Sequence, residues 1–272
     1  MNIYRGCSHG CIYCDSRSKC YGFTHAFEDI EVKENAPELL EQALRSKRHK
    51  CMIGTGAMCD PYLPAEKEFQ LTRKCLELID RYEYGVTVLT KSNLLLRDLD
   101  LLQSIHKKTK AVVQMTLTTY DENLCRKLEP NVSTTRERFE VLMRCKELGI
   151  PTLVWMTPIL PFINDTRENI EGLLDYCLQA GVQGILVFDV GVTLREGDRE
   201  YFYQALDRDF PGIRQKYIST YGNAYDIPSP HAKELMALIQ NTCAANGILC
   251  SPKECFTYLH EFPERYVQQT LF

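Results

Sequence analysis

The sequence predicts an α/β fold in which parallel strands are covered by helices. Short apolar segments alternate with amphipathic helical segments along most of the chain. Such an alternation builds a parallel sheet, because each helical crossover must return the chain to the same side. The length of 272 residues suits one large domain, and nothing in the sequence suggests a second one.

Six segments are predicted as strands because they are short, apolar and rich in β-branched residues. Five of them are explicit, and the first one would directly precede a loop rich in cysteine. The predicted strands are residues 2–4, 51–54, 86–90, 111–117, 152–156 and 184–188.

The predicted helices carry apolar residues at helical spacing. In the first of them the residues predicted to form one face are Leu39, Leu40, Ala43 and Leu44. Two others end at Gly149 and Gly181, and glycine is the residue most often found just past a helix end. The predicted helices are residues 36–47, 66–82, 97–107, 134–148, 165–179, 199–210 and 230–246.

The regular alternation ends near residue 195. Residues 1–195 are therefore predicted to form the core, and residues 196–272 a helical C-terminal extension packed on the same domain. We expect the helix at 230–246 to close the open side of the sheet. The tyrosine-rich stretch at 201–225 is expected to serve mainly for packing, although its side chains could also stack on a substrate.

Three cysteines near the N-terminus form the most informative motif. Cys7, Cys11 and Cys14 have the spacing Cys-x3-Cys-x2-Cys, whereas an ordinary iron–sulfur cluster is closed by four cysteines. A cluster held by three cysteines keeps one iron open to bind a substrate or cofactor. The alternative is a zinc site, which needs four ligands and could be completed by His9 or Cys20.

The loops that follow the predicted strands carry unusual residues. In a parallel barrel these loops form the active site. Small residues in the loop after the second strand would let the backbone approach a ligand. The four loops contain Gly54-Thr55-Gly56-Ala57-Met58-Cys59-Asp60-Pro61, Thr90-Lys91-Ser92, Thr116-Leu117-Thr118-Thr119 followed by Leu128-Glu129-Pro130-Asn131, and Thr157-Pro158-Ile159.

The cysteine spacing resembles that of the radical S-adenosylmethionine (SAM) superfamily. The four loops, in this order, resemble its spore photoproduct lyase branch over roughly residues 2–190. The resemblance implies a partial (β/α)6 TIM-type barrel and a 4Fe-4S cluster held by Cys7, Cys11 and Cys14. It also implies that SAM chelates the open iron and that an electron from the cluster cleaves it to a 5'-deoxyadenosyl radical.

The resemblance assigns further residues to SAM. Lys91 would pair with the SAM carboxylate, although a merely solvated lysine is the alternative, and Thr116 would contact the ribose. Tyr13 would lie against the adenine. The remaining cofactor-binding residues that the resemblance implies are those of the loop after the second strand, namely Gly54, Thr55, Gly56 and Asp60.

Two positions depart from the lyase pattern. The lyase has a serine directly before its Asp-Pro pair, where this chain has Cys59, and a radical-quenching cysteine two residues earlier, where this chain has Ala57. A thiol is a good hydrogen-atom donor, so Cys59 is a candidate catalytic residue, or it merely packs. The radical-generating chemistry is therefore predicted more firmly than any named substrate.

Two classes of function follow. The first is a radical SAM enzyme that abstracts hydrogen from an unidentified substrate, in a lyase-like repair reaction on DNA or in the modification of a peptide or small molecule. The second is a non-catalytic accessory protein that binds a metal or cluster. The resemblance also implies an external electron donor of the flavodoxin or ferredoxin type. A net charge of -4 gives no general attraction to nucleic acid.

The chain contains 13 cysteines and neither a signal peptide nor a long apolar run, so we expect free thiols in the cytoplasm and no membrane segment. Some of these thiols should be buried in the core as small apolar groups. The spacing of Cys243, Cys250 and Cys255 fits no compact ligand loop, which leaves a second cluster as the minor alternative. The cysteines predicted to be structural are Cys75, Cys125, Cys145 and Cys177.

Overall fold

A five-stranded parallel sheet lies at the centre of the computed structural model, which describes residues 1–263. The strands are β1 (Tyr4–Arg5), β2 (Glu31–Val32), β3 (Met52–Thr55), β4 (Gly85–Thr90), β5 (Ala111–Thr116), β6 (Thr152–Trp155), β7 (Gly184–Leu186), β8 (Gly191–Thr193) and β9 (Asp226–Pro228). The helices are α1 (Ala36–Ser46), α2 (Glu66–Phe69), α3 (Leu71–Arg81), α4 (Leu99–Lys108), α5 (Glu122–Leu128), α6 (Thr135–Glu147), α7 (Arg167–Ala180), α8 (Asp198–Asp209), α9 (Ile213–Tyr221), α10 (Ala232–Asn246) and α11 (Pro252–His260).

The sheet has the order β3-β4-β5-β6-β7 and is parallel throughout, as the alternation of strands and helices predicts. Successive residues of each strand face opposite sides. On β5, Val113 and Met115 belong to the core under the outer helices, while Val112 packs on the other side. We call the side of the sheet that carries Val112 its inner face. In a parallel barrel the functional site lies where this face meets the carboxyl ends of the strands.

The first predicted strand does not join this sheet. Tyr4 and Arg5 pair antiparallel with Val32 and Glu31 in a separate two-stranded ribbon, so the expected sixth parallel strand at residues 2–4 is wrong. The N-terminal ammonium nevertheless donates to the Gly54 carbonyl, which places the start of the chain beside the edge strand β3.

At the opposite edge of the sheet, Leu249 forms a single parallel bridge with Gly184 of β7. This residue follows α10, and two backbone hydrogen bonds of 2.8 and 3.1 Å hold it against the strand. The last position of the sheet is thus occupied by a short segment of the C-terminal extension.

The inner face is covered by α11, not by α10 as expected. Cys255 and Leu259 of α11 pack against Val112 and Leu186, which project from the inner face of the sheet. By contrast, α10 packs against α7 and contributes Ile239 to the outer core. The expectation that the helix at 230–246 closes the open side is therefore wrong, because the shorter following helix takes that place.

The predicted helix at 66–82 is divided into α2 and α3. Gln70 takes a left-handed φ of 52°, which ends the first piece. The buried Glu66 carboxylate then accepts the backbone N–H groups of Thr72 at 3.0 Å and Arg73 at 3.3 Å, and so caps the second piece. The chain also contains α5, α9, α11 and the antiparallel ribbon β8-β9, none of which the sequence pattern revealed.

The C-terminal extension packs on the cysteine loop. Ile12 and Tyr13 share one apolar cluster with Phe202 of α8 and Tyr217 of α9. Tyr217 is fully buried, and its hydroxyl donates to the Pro161 carbonyl at 2.9 Å, as expected of a packing residue. Among residues 1–263, no helix has both the length and the apolar character needed to cross a bilayer.

Candidate active site

A cavity of about 640 Å³ opens at the carboxyl ends of the parallel strands. Its volume falls within the range of ordinary ligand sites. The loop after β1 supplies Cys7, Cys11 and Cys14, and the loops after the other strands supply the remaining walls. The three cysteines all lie within 11 residues of the end of β1. They line the same cavity as the loops that follow the other strands.

The cysteine loop is held by backbone hydrogen bonds from distant segments. Ile12 N–H donates to the Leu128 carbonyl at 3.0 Å, and Asn131 N–H donates to the His9 carbonyl at 3.1 Å. Cys7 N–H donates to the Phe27 carbonyl at 2.9 Å. The segment from Leu128 to Asn131, which the sequence analysis selected as a motif, therefore holds the cysteine loop in place, and we call it the supporting segment.

A buried ion pair lies directly behind this supporting segment. The Glu129 and Arg138 side chains are fully buried, and the guanidinium donates to the carboxylate. Burial opposes the ionised carboxylate, but the charges of Arg138 and Lys91 together with the hydrogen bonds from Tyr13 and Arg138 outweigh burial and lower the pKa of Glu129. Glu129 also accepts the Tyr13 hydroxyl, and Arg138 donates to the Thr116 carbonyl at 3.0 Å. One charged pair thus joins the cysteine loop to the end of β5.

Asp60 organises the neighbouring loops. Its carboxylate accepts from the Thr90 hydroxyl at 2.6 Å and from the Lys91 N–H at 2.7 Å. The same carboxylate lies 3.5 Å from His9 Nδ1. Burial opposes the protonated imidazole, but the Asp60 charge and the contact with Cys7 together outweigh burial and raise the pKa of His9. The sequence assigns Asp60 to the cofactor, whereas its contacts in the structure hold the end of β4 and the cysteine loop together.

Cys59 lies beside Cys7 at the edge of the cavity. Its thiol donates to the Gly6 carbonyl at 2.7 Å. Contact with the Cys59 thiol, opposed by burial, lowers the pKa of the Cys7 thiol to about 5. The reciprocal contact, together with burial, raises the pKa of Cys59. Cys7 is therefore the more acidic thiol of the pair, whereas burial raises the pKa of the Cys11 and Cys14 thiols.

The other residues assigned to SAM fall into two groups. Lys91, Thr116 and Tyr13 line the cavity, with the Lys91 ammonium 5.9 Å from the centre of the Tyr13 ring. Gly56 also lines it, but Gly54 and Thr55 do not. The two latter residues stay predictions, with no position on the cavity wall to support them.

Gly56 has a structural requirement of its own. Its φ is +96°, and a Cβ atom there would lie 2.0 Å from the Leu89 carbonyl oxygen of β4. Glycine is needed so that the loop after β3 can pass this close to the next strand. By contrast, a Cβ at Gly54 would meet its nearest atom only at 3.6 Å.

The donor set of the cysteine loop fits a cluster better than a single zinc ion. Within residues 1–263 no three His, Cys, Asp or Glu side chains converge as the ligands of one metal ion would. A cluster needs no such convergence, because each cysteine binds a different iron. The two candidate fourth ligands for zinc are also engaged elsewhere, His9 by Asp60 and Cys20 by Arg195 at 3.5 Å.

The remaining cysteines lie outside this cavity. Cys243 and Cys250 contact each other in the outer core, whereas Cys255 packs on the inner face of the sheet. Cys243 and Cys250 therefore belong to a different apolar cluster from Cys255, and a second iron–sulfur cluster stays the minor alternative. The cysteines predicted to be structural are all buried, namely Cys75, Cys125, Cys145 and Cys177.

The part of the cavity beside β6 and β7 contains residues that the sequence analysis did not select. Trp155 ends β6, Phe188 and Asp189 follow β7, and Asp226 begins β9. The first three could have been found by the strand-end rule that selected Lys91 and Thr116. Asp226 comes from a ribbon that carried no sequence signal.

Comparison with solved structures establishes the class of fold. A spore photoproduct lyase variant with bound AdoMet and dinucleoside spore photoproduct superposes with a TM-score of 0.66 at 15% identity, covering 92% of this chain and 74% of that one. Streptococcus suis SuiB bound to S-adenosylmethionine gives a TM-score of 0.53 at 13% identity, covering 89% and 48%. At these identities the likeness concerns the fold, and the predicted partial TIM-type barrel is confirmed.

The family follows from the sequence match. The model described as the Radical SAM superfamily matches residues 1–177, so the chain belongs to that superfamily. Radical SAM enzymes use a 4Fe-4S cluster and SAM and generally need an external reductant. The cofactor prediction is therefore confirmed, and the protein is a SAM-cleaving radical enzyme.

Similar proteins in other organisms carry no named activity. An uncharacterized protein of Mycobacterium tuberculosis is 29% identical over 249 residues, which is 87% of this chain and 70% of the relative. One of Methanocaldococcus jannaschii is 34% identical over 169 residues, covering 61% and 62%. One of Acidianus two-tailed virus is 27% identical over 198 residues, covering 68% and 64%.

Proposed function

We propose that this protein holds its 4Fe-4S cluster through Cys7, Cys11 and Cys14 and uses SAM in the same cavity to abstract hydrogen from an organic substrate. The observation that carries the proposal is the shared cavity. Three thiols, the Lys91 ammonium and Thr116 all line it. A scaffold that merely stored a cluster would have no use for a cation and a hydroxyl beside the cysteines.

When bound, the reduced cluster supplies the electron that cleaves the SAM sulfonium bond. The chain itself supplies the positions. Lys91 offers a charged donor for the SAM carboxylate, and charge-assisted hydrogen bonds are the strong ones. Asp60 fixes the backbone of Lys91 through the 2.7 Å hydrogen bond, so the ammonium starts from a defined place. Thr116, held through its carbonyl by Arg138, offers a hydroxyl for the ribose.

Cys59 is proposed to act on the cluster side of the cavity. Its thiol faces the Gly6 carbonyl and the Cys7 sulfur, both of which belong to the cysteine loop. The single S–H proton of Cys59, which is donated to the Gly6 carbonyl, would have to turn toward the Cys7 sulfur to form a hydrogen bond there, and hydrogen bonds to ligand sulfurs tune the reduction potentials of clusters. This favours a role beside Cys7 over the radical-quenching role that the sequence suggests.

Repair of a DNA photoproduct, the reaction of the spore photoproduct lyase branch, is not the function favoured here. This chain has Ala57 where the lyase pattern has its radical-quenching cysteine. The net charge of -4 gives no basic surface for a polyanion. A peptide or small molecule is therefore the proposed substrate class, with a flavodoxin- or ferredoxin-type protein as the proposed electron donor.

Iron binding tests the ligand assignment. Anaerobic reconstitution should give about four irons per chain. Alanine at Cys7, Cys11 or Cys14 should abolish cluster binding while the circular dichroism spectrum stays unchanged, because each substitution removes one sulfur atom and leaves the backbone hydrogen bonds that hold the loop. Cys20→Ala is the matched control, since this exposed cysteine lies on the same loop. A triplet variant that still holds four irons would contradict the assignment.

A further inference from the structure

The part of the cavity beside β6 and β7 is aromatic and partly uncovered. Trp155 and Phe188 lie edge to face, with ring centres 5.9 Å apart. The ring centre of Phe256, on α11, lies 6.2 Å from the centre of each of these two rings, so the three rings form one aromatic cluster. Phe188 is 55% exposed, although a phenylalanine at a cavity wall gains from being covered. A flat apolar group bound here would cover that ring.

Two carboxylates line the wall of the cavity that runs from the end of β7 along the β8-β9 ribbon. Asp189 follows β7, and its carboxylate accepts only the adjacent Val190 N–H at 2.7 Å among the contacts within residues 1–263. Asp226 stands opposite Thr193 in the β8-β9 ribbon. Neither forms an ion pair within the described part of the chain. By contrast, the cavity's Asp15 is paired with Arg195 at 3.2 Å.

The positive charges of the cavity lie elsewhere. Among the lining residues these are Lys91 and His9, which belong to the part formed by the cysteine loop and the loop after β4. An anionic substrate along this wall would therefore meet Asp189 and Asp226, whereas the nearby Arg195 guanidinium is paired with Asp15. A cationic substrate would gain Coulomb energy from both.

We infer that this part of the cavity binds a substrate that carries a positively charged nitrogen group, an ammonium or a guanidinium, next to a flat apolar group. The inference rests on the proposed function, because it names the substrate chemistry of the same site. Trp155 and Phe188 receive the flat group, and Asp189 and Asp226 receive the charge. A free amine or a basic side chain on a peptide could present this chemistry.

Three probes of one shape test the inference. Phenethylammonium, 2-phenylethanol and 3-phenylpropanoate are titrated by calorimetry into the cluster-reconstituted, SAM-loaded protein. Trp155 is the single tryptophan of the chain, so its emission reports whether a probe reaches this wall. One close charge pair in a watery environment contributes about 1 kcal/mol, so the cation should bind about five-fold or more tighter than the alcohol. The carboxylate should bind weakest.

The variants locate the effect. Asp189→Asn combined with Asp226→Asn should abolish the preference for the cation, whereas Glu171→Gln combined with Asp175→Asn, the same loss of two charges on the outer helix α7, should leave it intact. A preference that survives the double variant, or an alcohol that binds as tightly as the amine, overturns the inference. Acetyl-phenylalanyl-lysine amide is titrated in parallel to separate a free amine from a basic side chain on a peptide. Tighter binding than the free amine points to a peptide substrate, and weaker binding points to a free amine.

The same samples distinguish this inference from the proposed function. SAM cleavage is measured in the wild-type protein after reduction. Cleavage without any cation preference refutes the substrate class alone. A cation preference in a protein that fails to cleave SAM refutes the proposed function and leaves the binding site standing.

Discussion

Glu129→Gln tests whether the buried ion pair stabilises the supporting segment, from Leu128 to Asn131, that holds the cysteine loop. The substitution keeps an oxygen acceptor for the Tyr13 hydroxyl but removes the negative charge from a fully buried pair. Arg138 then remains charged and buried, held only by neutral acceptors such as the Thr116 and Ser133 carbonyls at 3.0 and 2.7 Å. Leaving one partner of a buried pair uncompensated costs about 3–5 kcal/mol.

The assay is urea unfolding of the cluster-free protein at pH 7, followed by circular dichroism. Tyr13→Phe is the matched control, because it removes one hydrogen bond and leaves the ion pair, so it should cost about 0.5–1.5 kcal/mol. Glu129→Gln combined with Arg138→Met should recover most of the loss, since a neutral replacement of a buried pair is often tolerated. A single substitution that costs under about 1 kcal/mol, or a double variant less stable than the single one, would refute this account.

Three further predictions follow from individual contacts. Lys91→Ala should weaken SAM binding, measured by calorimetry, about ten-fold or more, because a charge-assisted contact is lost. Lys67→Ala, which lies outside this cavity, should leave SAM binding unchanged. Equal effects of the two substitutions would contradict the assignment. Gly56→Ala should lower the urea midpoint strongly and Gly54→Ala little, since only the former brings a Cβ against a backbone oxygen. Burial raises the pKa of Asp198 to about 6, so its stabilising contribution is lost as the pH rises from 4 through 6. Asp198→Asn should therefore match the wild type at pH 4 and exceed its unfolding free energy at pH 7 by about 1 kcal/mol, after allowing for solvent screening; an unchanged difference between the two pH values would contradict this.

The sheet could be predicted because its strands are buried on both faces and therefore read as apolar runs. Residues 2–4 also read as such a run, yet Tyr4 pairs with Val32 across the cysteine loop. That pairing depends on a non-local contact that no local pattern contains. The same limit applies to α10 and α11, which are both amphipathic, so the sequence could not tell which one covers the inner face.

The site could be predicted as far as strand ends dictate it. Lys91 and Thr116 follow or end a strand, and parallel strands bring such positions to one edge. Arg138 could not be identified, because an arginine in an amphipathic helix normally faces solvent. Only the folded chain shows that it is buried against Glu129. Asp226 reaches the cavity through a ribbon that forms with residues more than thirty positions earlier in the chain.

The central claim is that the three cysteines and the surrounding cavity form a generator of radicals from SAM. The most direct measurement is mass-spectrometric detection of 5'-deoxyadenosine after the reconstituted protein is reduced with dithionite in the presence of SAM. The account predicts 5'-deoxyadenosine from the wild type and none from Cys11→Ala. A wild-type protein that holds a reduced four-iron cluster and binds SAM, yet yields no 5'-deoxyadenosine, would contradict it.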